Sequence, residues 1–516
     1  MILLETITAP VIEWSLLAPL LVLLVGSSIG LLIEAFAPRG TRYGAQVILT
    51  AVTLVVALML VVRNWYLGRF QPAAVGSLML DGPAYIIWTS LLVFTFFALL
   101  LFAERRLTAG ESTFVSSAAS VPGSPLEREA DAARLEHTEV YPLLLFAVMG
   151  MMMFAASNDL LMMFVALEIF SLPLYLLCGL ARRRRLLSQE AAMKYFLLGA
   201  LSSAFFLFGV ALLYGYSGTF GLRGIDAAIT ANQQSFVLVI TGMALVSVGL
   251  LFKIGAVPFH SWTPDVYMGA PTPVTAFMAI ATKLAAVGAL MRVLYVALGS
   301  LRWDWQPVIV VIAILTMAVG SIVAIAQTDV KRMLAYSSIA HAGFILVGLV
   351  GADAMSVPAI VFYLIAYGFA TLGAFAIVTM VRKSGGESNT LSTWAGIGKR
   401  HPVVAGVFAL FMLSFAGIPL TGGFIGKWLV FASAWTGGFG WLVVVSIVMS
   451  VVAAYFYVRV IVIMFFTEPT DETAEVENPS VLTWLVVAFG AVGTIVLGLV
   501  PGWLIALADA AGTFLR

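Results

Sequence analysis

An all-α polytopic membrane protein with about 14 transmembrane helices is the fold that the sequence predicts, and three observations predict it. Hydrophobic residues make up 62% of the 516, against roughly half in soluble domains. Charged residues make up only 10%, where about a quarter is usual, so no soluble core could hide this much apolar side chain and still face water. Fourteen apolar stretches of about 17–25 residues, the length that crosses a hydrocarbon core, run along the chain. The net charge of +1 sits in short loops, and no nucleic-acid partner is expected. The single cysteine, Cys178, excludes a disulfide framework and any four-thiolate iron–sulfur or zinc site built by this chain alone. No cleavable signal is expected, because the first apolar run is span-length and no basic residue precedes it.

The spans begin near Trp14, Gly44, Pro83, Val140, Asp159, Glu190, Phe236, Thr272, Pro307, Leu334, Pro358, Pro402, Trp441 and Val481. They divide the chain into three N-terminal spans (1–103), a loop (104–139), two blocks of five spans (140–298 and 307–466) and a last span (480–508). Loops after odd-numbered spans carry 16 basic residues: Arg39, Arg42, Arg105, Arg106, Arg128, Arg134, the run 182–185, Lys331, Arg332, Arg382, Lys383, Lys399 and Arg400. Loops after even-numbered spans, with the termini, carry Arg63, Arg69, Arg223, Arg302 and Arg516. Basic loops stay cytoplasmic, so both termini are predicted outside the cytoplasm. The arginine run reads as a topology signal, with attraction to acidic lipid the alternative. Two polar stretches read as solvated linkers: 104–139, whose LEREADAARLEH half predicts one short surface helix, and the acidic 468–478.

Four ionisable residues fall inside apolar runs. Glu168 is the ninth residue of the run 160–180 and Lys283 the twelfth of 272–297; Lys253 lies in FKIGAVPF and Lys427 in GFIGKWLVF. Each such charge costs roughly 2.5–3.5 kcal/mol on the translocon scale. Groups of this kind face a bundle interior or a watery cavity and pair with one another. The structural alternatives are a snorkelling lysine and a Glu–Lys pair that only holds helices together. Lys194, five residues into its span, and Arg459 are weaker candidates, and Lys194 suits snorkelling equally well.

Helix breakers accompany the charges. Pro173 follows Glu168 by five residues and Pro258 follows Lys253 by five, each freeing the carbonyl four residues back. Gly417, Pro419, Gly422, Gly423 and Gly426 precede Lys427. Irregular backbone at membrane depth survives only inside protein or beside water. MKYFLLGALSSAFFLFG of the sixth span echoes IVFYLIAYGFATLGAFA of the eleventh. The spans therefore read as two inverted five-helix repeats, helices 4–8 and 9–13, with broken helices 7 and 12; an odd offset of five inverts the second relative to the first. Buried lysines and carboxylates that pair and unpair bind and release protons, so the series Glu168, Lys253, Lys283, Lys427 points to proton translocation. His260 in VPFHSW and His341 in AYSSIAHAGF are candidate relays with Lys194, a hydrogen-bonded packing role being the alternative for His341. No histidine pair has haem or zinc spacing, and neither GxGxxG nor GxxxxGK[ST] occurs. No cofactor or metal is therefore expected on this chain.

FKIGAVPFHSWTPDVYMGAPTPVTAFMAIATK, QTDVKRMLAYSSIAHAGF and FAGIPLTGGFIGKWLVF resemble the antiporter-like (Mrp-related) membrane subunits of proton-pumping NADH:quinone oxidoreductase, respiratory complex I. WTPDVYMGAPTPVTAF, with lysine at the twelfth-span position, resembles most the N-type branch. The resemblance covers roughly 139–466, while the first three spans match in hydropathy alone. It implies a half-channel glutamate at Glu168 and lysines of the proton path at Lys253, Lys283 and Lys427, the residues singled out above on energetic grounds. It also implies a bacterial inner-membrane setting with a neighbouring antiporter-like subunit, small membrane subunits and lipids as partners. FMN, iron–sulfur clusters and quinone would belong to other subunits, where NADH is oxidised. The loop 104–139 departs from the family by its length. Rival readings are a subunit of a multi-subunit Na⁺/H⁺ antiporter, a related hydrogenase-type complex, and a purely structural scaffold.

Overall fold

Apolar runs bounded by caps, prolines and glycines become helices in the computed structural model, which describes residues 12–515 apart from 109, 118–119, 134–135 and 232–235. Arg134 and Arg516, counted among the loop charges, lie outside the described residues. Two apolar helices come first, α1 (Trp14–Phe36) and α2 (Arg39–Tyr66), then a hairpin of β1 (Gln71–Ala73) and β2 (Leu78–Leu80). α3 (Gly82–Phe102) starts where the Asp81 carboxylate accepts the Ala84 amide at 3.1 Å, with Pro83 in its first turn. The loop 104–139 holds the short α4 (Pro125–Ala132). α5 (Val140–Ala156), α6 (Leu160–Cys178, capped by Asp159), α7 (Arg185–Ser217) and the short α8 (Leu222–Thr230) follow. The seventh span is two half-helices, α9 (Phe236–Ile254) and α10 (Trp262–Gly269), and the eighth is α11 (Thr272–Arg292). α12 (Arg302–Ile325), α13 (Val330–Gly351) and α14 (Ser356–Met380) lead to strands β3 (Val381–Lys383) and β4 (Gly386–Glu387). After the single turn α15 (Ile397–Arg400), the twelfth span is again halved, α16 (Pro402–Ala416) and α17 (Gly422–Thr436). α18 (Gly440–Phe466), β5 (Glu475–Val476), α19 (Val481–Leu499) and α20 (Gly502–Ala510) complete the order. Among the described residues, twelve helices are long and apolar enough to span a membrane, and α5 and α16 are shorter apolar ones; with α16 and α17 taken as one broken span, these match the fourteen predicted spans.

The two breaks share one local design. Gly255 (φ 78°) ends α9 and Gly417 (φ 82°) ends α16, both in the left-handed region that glycine enters without a Cβ penalty. In each, the next amide reaches five residues back: Ala256 N to Leu251 O and Ile418 N to Leu413 O, both at 3.0 Å. This closes a Schellman-type cap and satisfies carbonyls that would otherwise be orphaned in the apolar interior. Proline does not act alike at the two predicted sites: α6 runs unbroken through Pro173, whereas the chain leaves helix between Gly255 and Ser261 around Pro258.

The helix pairings repeat at an offset of five spans. α5 packs on α6 and α11, α6 on α7, and α9 on α7 and α11; correspondingly α12 packs on α13 and α18, α13 on α14, and α16 on α14 and α18. The repeats meet where α11 lies against α14 and α10 against α13, and α3 packs on both α11 and α14. All of α11 and nearly all of α13 and α14 are buried, whereas α2, α18 and α19 each bury one stripe and present apolar residues outward. α11 can occupy the centre because Ala, Gly and Thr fill much of it, letting helix backbones approach closely.

Connections sort onto two faces as an even span count requires. On the basic face Phe114 bridges to Ala181, Asp329 to Thr390, and β3 lies between β4 and β5. On the other, Leu78 bridges to Ser157 and Asp159 to Gly221. Neither polar stretch read as a solvated linker runs free. Phe114 is fully buried, Glu127 of α4 pairs with Arg185 at 2.6 Å, and Thr473 and Ala474 are buried beside β5. The Arg185 guanidinium beside Glu127 holds that carboxyl below its usual range. Ion pairs and a strand edge anchor part of each stretch, while Arg128, Glu129, Asp471 and Glu472 stay exposed.

One buried ion pair was not foreseen. Arg292, at the end of α11, donates to both carboxylate oxygens of Asp81 at 2.7 and 2.9 Å and to the Ala155 carbonyl at 3.2 Å; both charged side chains are at most 1% exposed. Leu515 N also donates to Asp81, and the Phe514 ring lies 4.8 Å from the guanidinium. Removing one partner of such a pair costs about 3–5 kcal/mol, while an apolar pair of similar volume is often neutral. Asp81→Ala should therefore lower the melting temperature of the detergent-solubilised protein markedly, and Asp81→Leu with Arg292→Met should restore most of it. A single variant melting with the wild type would remove the pair from any structural role.

Candidate functional site

The charge-bearing segments assemble into two clusters, one per repeat, joined through α11. In the first, Lys253 occupies the last turn of α9 and is 1% exposed. Its Nζ lies 3.4 Å from the Tyr175 hydroxyl of α6 and 5.2–5.7 Å from the ring centres of Phe170, Tyr175, Tyr195 and Phe252. The cage is itself fixed, for Tyr195 stacks on Trp262 at 4.7 Å and Trp262 donates to the Phe252 carbonyl at 2.9 Å. A desolvated cation over aromatic faces gains about 2 kcal/mol, the same order as its insertion penalty, so the lysine can be kept dry without a tight salt bridge. Glu168 lies on the same helix, α6, two turns before Tyr175. Its buried Oε1 has no hydrogen-bond partner among the described residues.

Glu168 also lies on the outward stripe of α6, among Leu161, Val165, Leu172 and Leu176, which are 44–59% exposed. A carboxylate on such a stripe does not face lipid at tolerable cost; the position calls for a neighbouring protein surface.

Lys283, midway along α11, donates to the Ser338 carbonyl at 2.9 Å and to the Ser338 hydroxyl, and lies 5.6 Å from the Tyr367 ring. Ser338 belongs to α13 and Tyr367 to α14, so this lysine of the first repeat is held by the second. One turn along α13 from Ser338, His341 uses both nitrogens: Nδ1 is 2.7 Å from the Tyr363 hydroxyl and Nε2 is 3.2 Å from that of Tyr457. The Tyr367 and Phe415 rings pack on the imidazole at 4.9 and 5.4 Å. Phe415 in turn offers its carbonyl to Lys427.

Lys427 departs from the register that the repeat suggests. Lys253 precedes its break, whereas Lys427 follows Gly417 by ten residues, on the second half-helix α17. Its side chain nonetheless runs back, and Nζ meets the carbonyls of Phe415 and Ala416, the last residues of α16, both at 2.9 Å, and the Ser450 hydroxyl at 2.8 Å. The Lys427 ammonium thus stands at the C-terminal, negative end of the first half-helix, whereas Lys253 belongs to the last turn of its own half-helix and turns its ammonium to the aromatic cage. The glycine is needed twice, since a Cβ at Gly417 would come within 2.9 Å of Lys427 Cδ.

Two candidate relays stand apart from this line. Lys194 is 42% exposed and pairs with Glu190 and Asp265, each at 2.7 Å; Asp265 also takes Arg332 at 3.0 Å. That is a surface ion cluster fastening α10 to α7 and α13 through Asp265, a residue that the sequence does not single out. His260 is half-buried in the α9–α10 connection, with no hydrogen bond to any of the lysines. Arg459 caps α12 by donating to the Ile325 carbonyl at 2.7 Å. The sequence does not single out the tyrosines 175, 363 and 457; of these only Tyr175 shares a helix with one of the four charges, Glu168. Among the described residues, no three His, Cys, Asp or Glu side chains gather to hold a metal.

Residues 157–453 match the family model described as NADH:quinone oxidoreductase/Mrp antiporter, TM. The chain is 54% identical to the NADH-quinone oxidoreductase subunit N of Cutibacterium acnes, an alignment covering 99% of this chain and 97% of that one. It is 52% identical to the subunit of the same name from Mycobacterium tuberculosis, over 98% of this chain and 99% of that one. Among solved structures, a chain of respiratory complex I from Thermus thermophilus superposes with a TM-score of 0.76 at 33% identity, over 95% of this chain and 99% of that one. A chain of the Mrp complex from Dietzia sp. has a TM-score of 0.79 at 22% identity, covering 96% of each chain, a likeness of fold.

The placement of the two kinds of lysine is open to a direct check. With native Cys178 fully buried, a Lys194→Cys variant should react with a membrane-impermeant maleimide applied to the basic face. Lys253→Cys should stay unlabelled until the protein is denatured, and equal labelling of both would contradict the cage.

Proposed function

The chain belongs to the NADH:quinone oxidoreductase/Mrp antiporter family of membrane subunits, and from that premise we propose that it moves protons through Glu168, Lys253, Lys283, His341 and Lys427. It serves as subunit N in the membrane arm of a bacterial NADH:quinone oxidoreductase, beside other membrane subunits. Electron transfer from NADH to quinone, with its FMN and iron–sulfur clusters, takes place elsewhere in that complex. This chain carries no redox centre of its own and contributes the translocase half of the reaction. The basic face is cytoplasmic and both termini lie on the opposite side, by the loop-charge asymmetry.

One observation carries the reading: three buried lysines, each held by neutral donors and acceptors rather than by a carboxylate, follow one another across the repeat interface with His341 between the last two. An ammonium held this way is stabilised enough to exist and little enough to give up its proton when a neighbouring charge changes. In the proposed cycle, redox energy released in other subunits changes the charge at Glu168. Its pairing with Lys253 changes in turn, and the proton passes through Lys283 and the Tyr363–His341–Tyr457 triad toward Lys427. Lys427 exchanges its proton with the outside, its ammonium favoured by the α16 carbonyls while charged.

The test uses the intact complex in inverted membrane vesicles. Lys253→Met should reduce NADH-driven acidification by roughly tenfold or more, with coupled turnover falling alongside and assembly retained. Lys253→Arg, which keeps a charge but cannot release its proton, should be comparably defective. Normal acidification by Lys253→Met would refute the path, and a purified chain exchanging Na⁺ for H⁺ without a redox partner would replace this reading by that of a secondary antiporter.

A further inference from the structure

The basic face contains a cavity of about 640 Å³ that the proton path does not use. Five separate segments line it: the loop after α3, residues 181–184, the α10–α11 junction, the start of α13 and the β3–β4 hairpin, with Glu477 at its edge. Seven cationic side chains face it against three carboxylates. Each carboxylate is committed to one cation: Glu111 to Arg182 at 2.9 Å, Glu477 to Arg382 at 3.3 Å and Glu387 to Lys331 at 3.9 Å. Arg106, Arg183, Arg184 and Lys383 are left with no carboxylate within 4 Å among the described residues. Their polar contacts are to backbone carbonyls, Arg183 to Ser384 and Arg184 to Glu387 at 3.5 Å, and Lys383 to Glu472 at 3.2 Å.

These four cations are themselves exposed, and three details fix the concavity around them. Arg184 holds a left-handed φ of 56°, a strained setting for a non-glycine residue that persists only where surrounding structure enforces it. The Arg183 guanidinium lies so close over the hairpin that a Cβ at Gly386 would stand 3.1 Å from Nη1 and one at Gly385 3.3 Å from Nη2. Lys331, 2% exposed on the cavity wall, is oriented by the Ala270 carbonyl at 3.0 Å and the Thr272 hydroxyl at 2.9 Å. A topology signal requires basic residues only on one face; it gives no reason for loops so far apart in sequence to converge on one concavity.

We propose that this cavity binds a phosphate-bearing anion, held by the four uncompensated cations Arg106, Arg183, Arg184 and Lys383. Guanidinium forks suit phosphate oxygens in a bidentate manner, and a concave site lined by one sign of charge concentrates its counter-ion. The volume falls within the range of small-ligand sites. The same chemistry is offered by a soluble polyphosphate and by the headgroup of an acidic phospholipid, and the test separates them.

The complex is reconstituted in phosphatidylcholine nanodiscs and titrated with inorganic pyrophosphate; in parallel, a photoreactive phosphatidylglycerol is incorporated and its label mapped by peptide. Because Arg183→Gln/Arg184→Gln also removes part of the topology signal, the deciding variant is Arg106→Gln/Lys383→Gln. Wild-type binding of pyrophosphate, or labelling of peptides containing 106, 183–184 or 383, should fall roughly tenfold in that variant, the responding probe identifying the source. Absence of both signals in the wild type, or signals unchanged in Arg106→Gln/Lys383→Gln, overturns the proposal.

Discussion

A positive charge inside an apolar helix bundle must be stabilised by whatever lies within reach of its side chain, and the fold is arranged around that requirement. Lys253 is given aromatic faces and a phenol, Lys283 a serine hydroxyl and carbonyl, Lys427 the carbonyl end of a half-helix. Among the described residues, none of the three hydrogen-bonds a carboxylate. The helix breaks follow from the same need: an intact twelfth span would keep the Phe415 and Ala416 carbonyls in its own ladder, and only a terminated α16 can turn them toward Lys427. The wholly buried α11 follows as well, since a lysine at its middle can be neutrally solvated only if both repeats close around it.

Much of this was legible in the sequence. The spans are long apolar runs whose signal is nearly local, and Glu168, Lys253, Lys283 and Lys427 stand out because hydrocarbon penalises charge regardless of context. What charge penetration cannot reveal is direction. The sequence marks Lys194 as the weaker candidate but not its partners: it meets Asp265 and Glu190, while Lys253 is enclosed by rings drawn from three helices. The sequence places Lys427 after its glycines and Lys253 before its break, but it does not show where either Nζ points. A repeat detected by composition aligns helices, while a flexible four-carbon stem lets Nζ sit far from where its Cα would place it.

The polar loops show a second limit. Low hydrophobicity in 104–139 and 468–478 reads as solvated chain, and polarity does predict contact with water for an isolated segment. These segments are not isolated, because the arginine run and the edge of β3 lie within reach and convert Glu127 into an ion-pair partner and Glu475–Val476 into a strand. Asp81 and Arg292 illustrate the same point at longer range. Each sits next to a span end and would pass as an interfacial residue, yet they meet dry, brought together by packing between α3 and α11.

That last pair also sets an order of events during synthesis. Asp81 receives Arg292 from 211 residues downstream and the Leu515 amide from 434 residues downstream. When the second repeat is being translated, Arg292 has already been made, but the Leu515 amide that also reaches Asp81 has not. The first repeat can therefore insert and pack, but this corner stays open to water until residues 514–515 have been made and drawn in over Arg292. The contact between the N-terminal spans and the first repeat is in this sense completed by residues that follow both repeats.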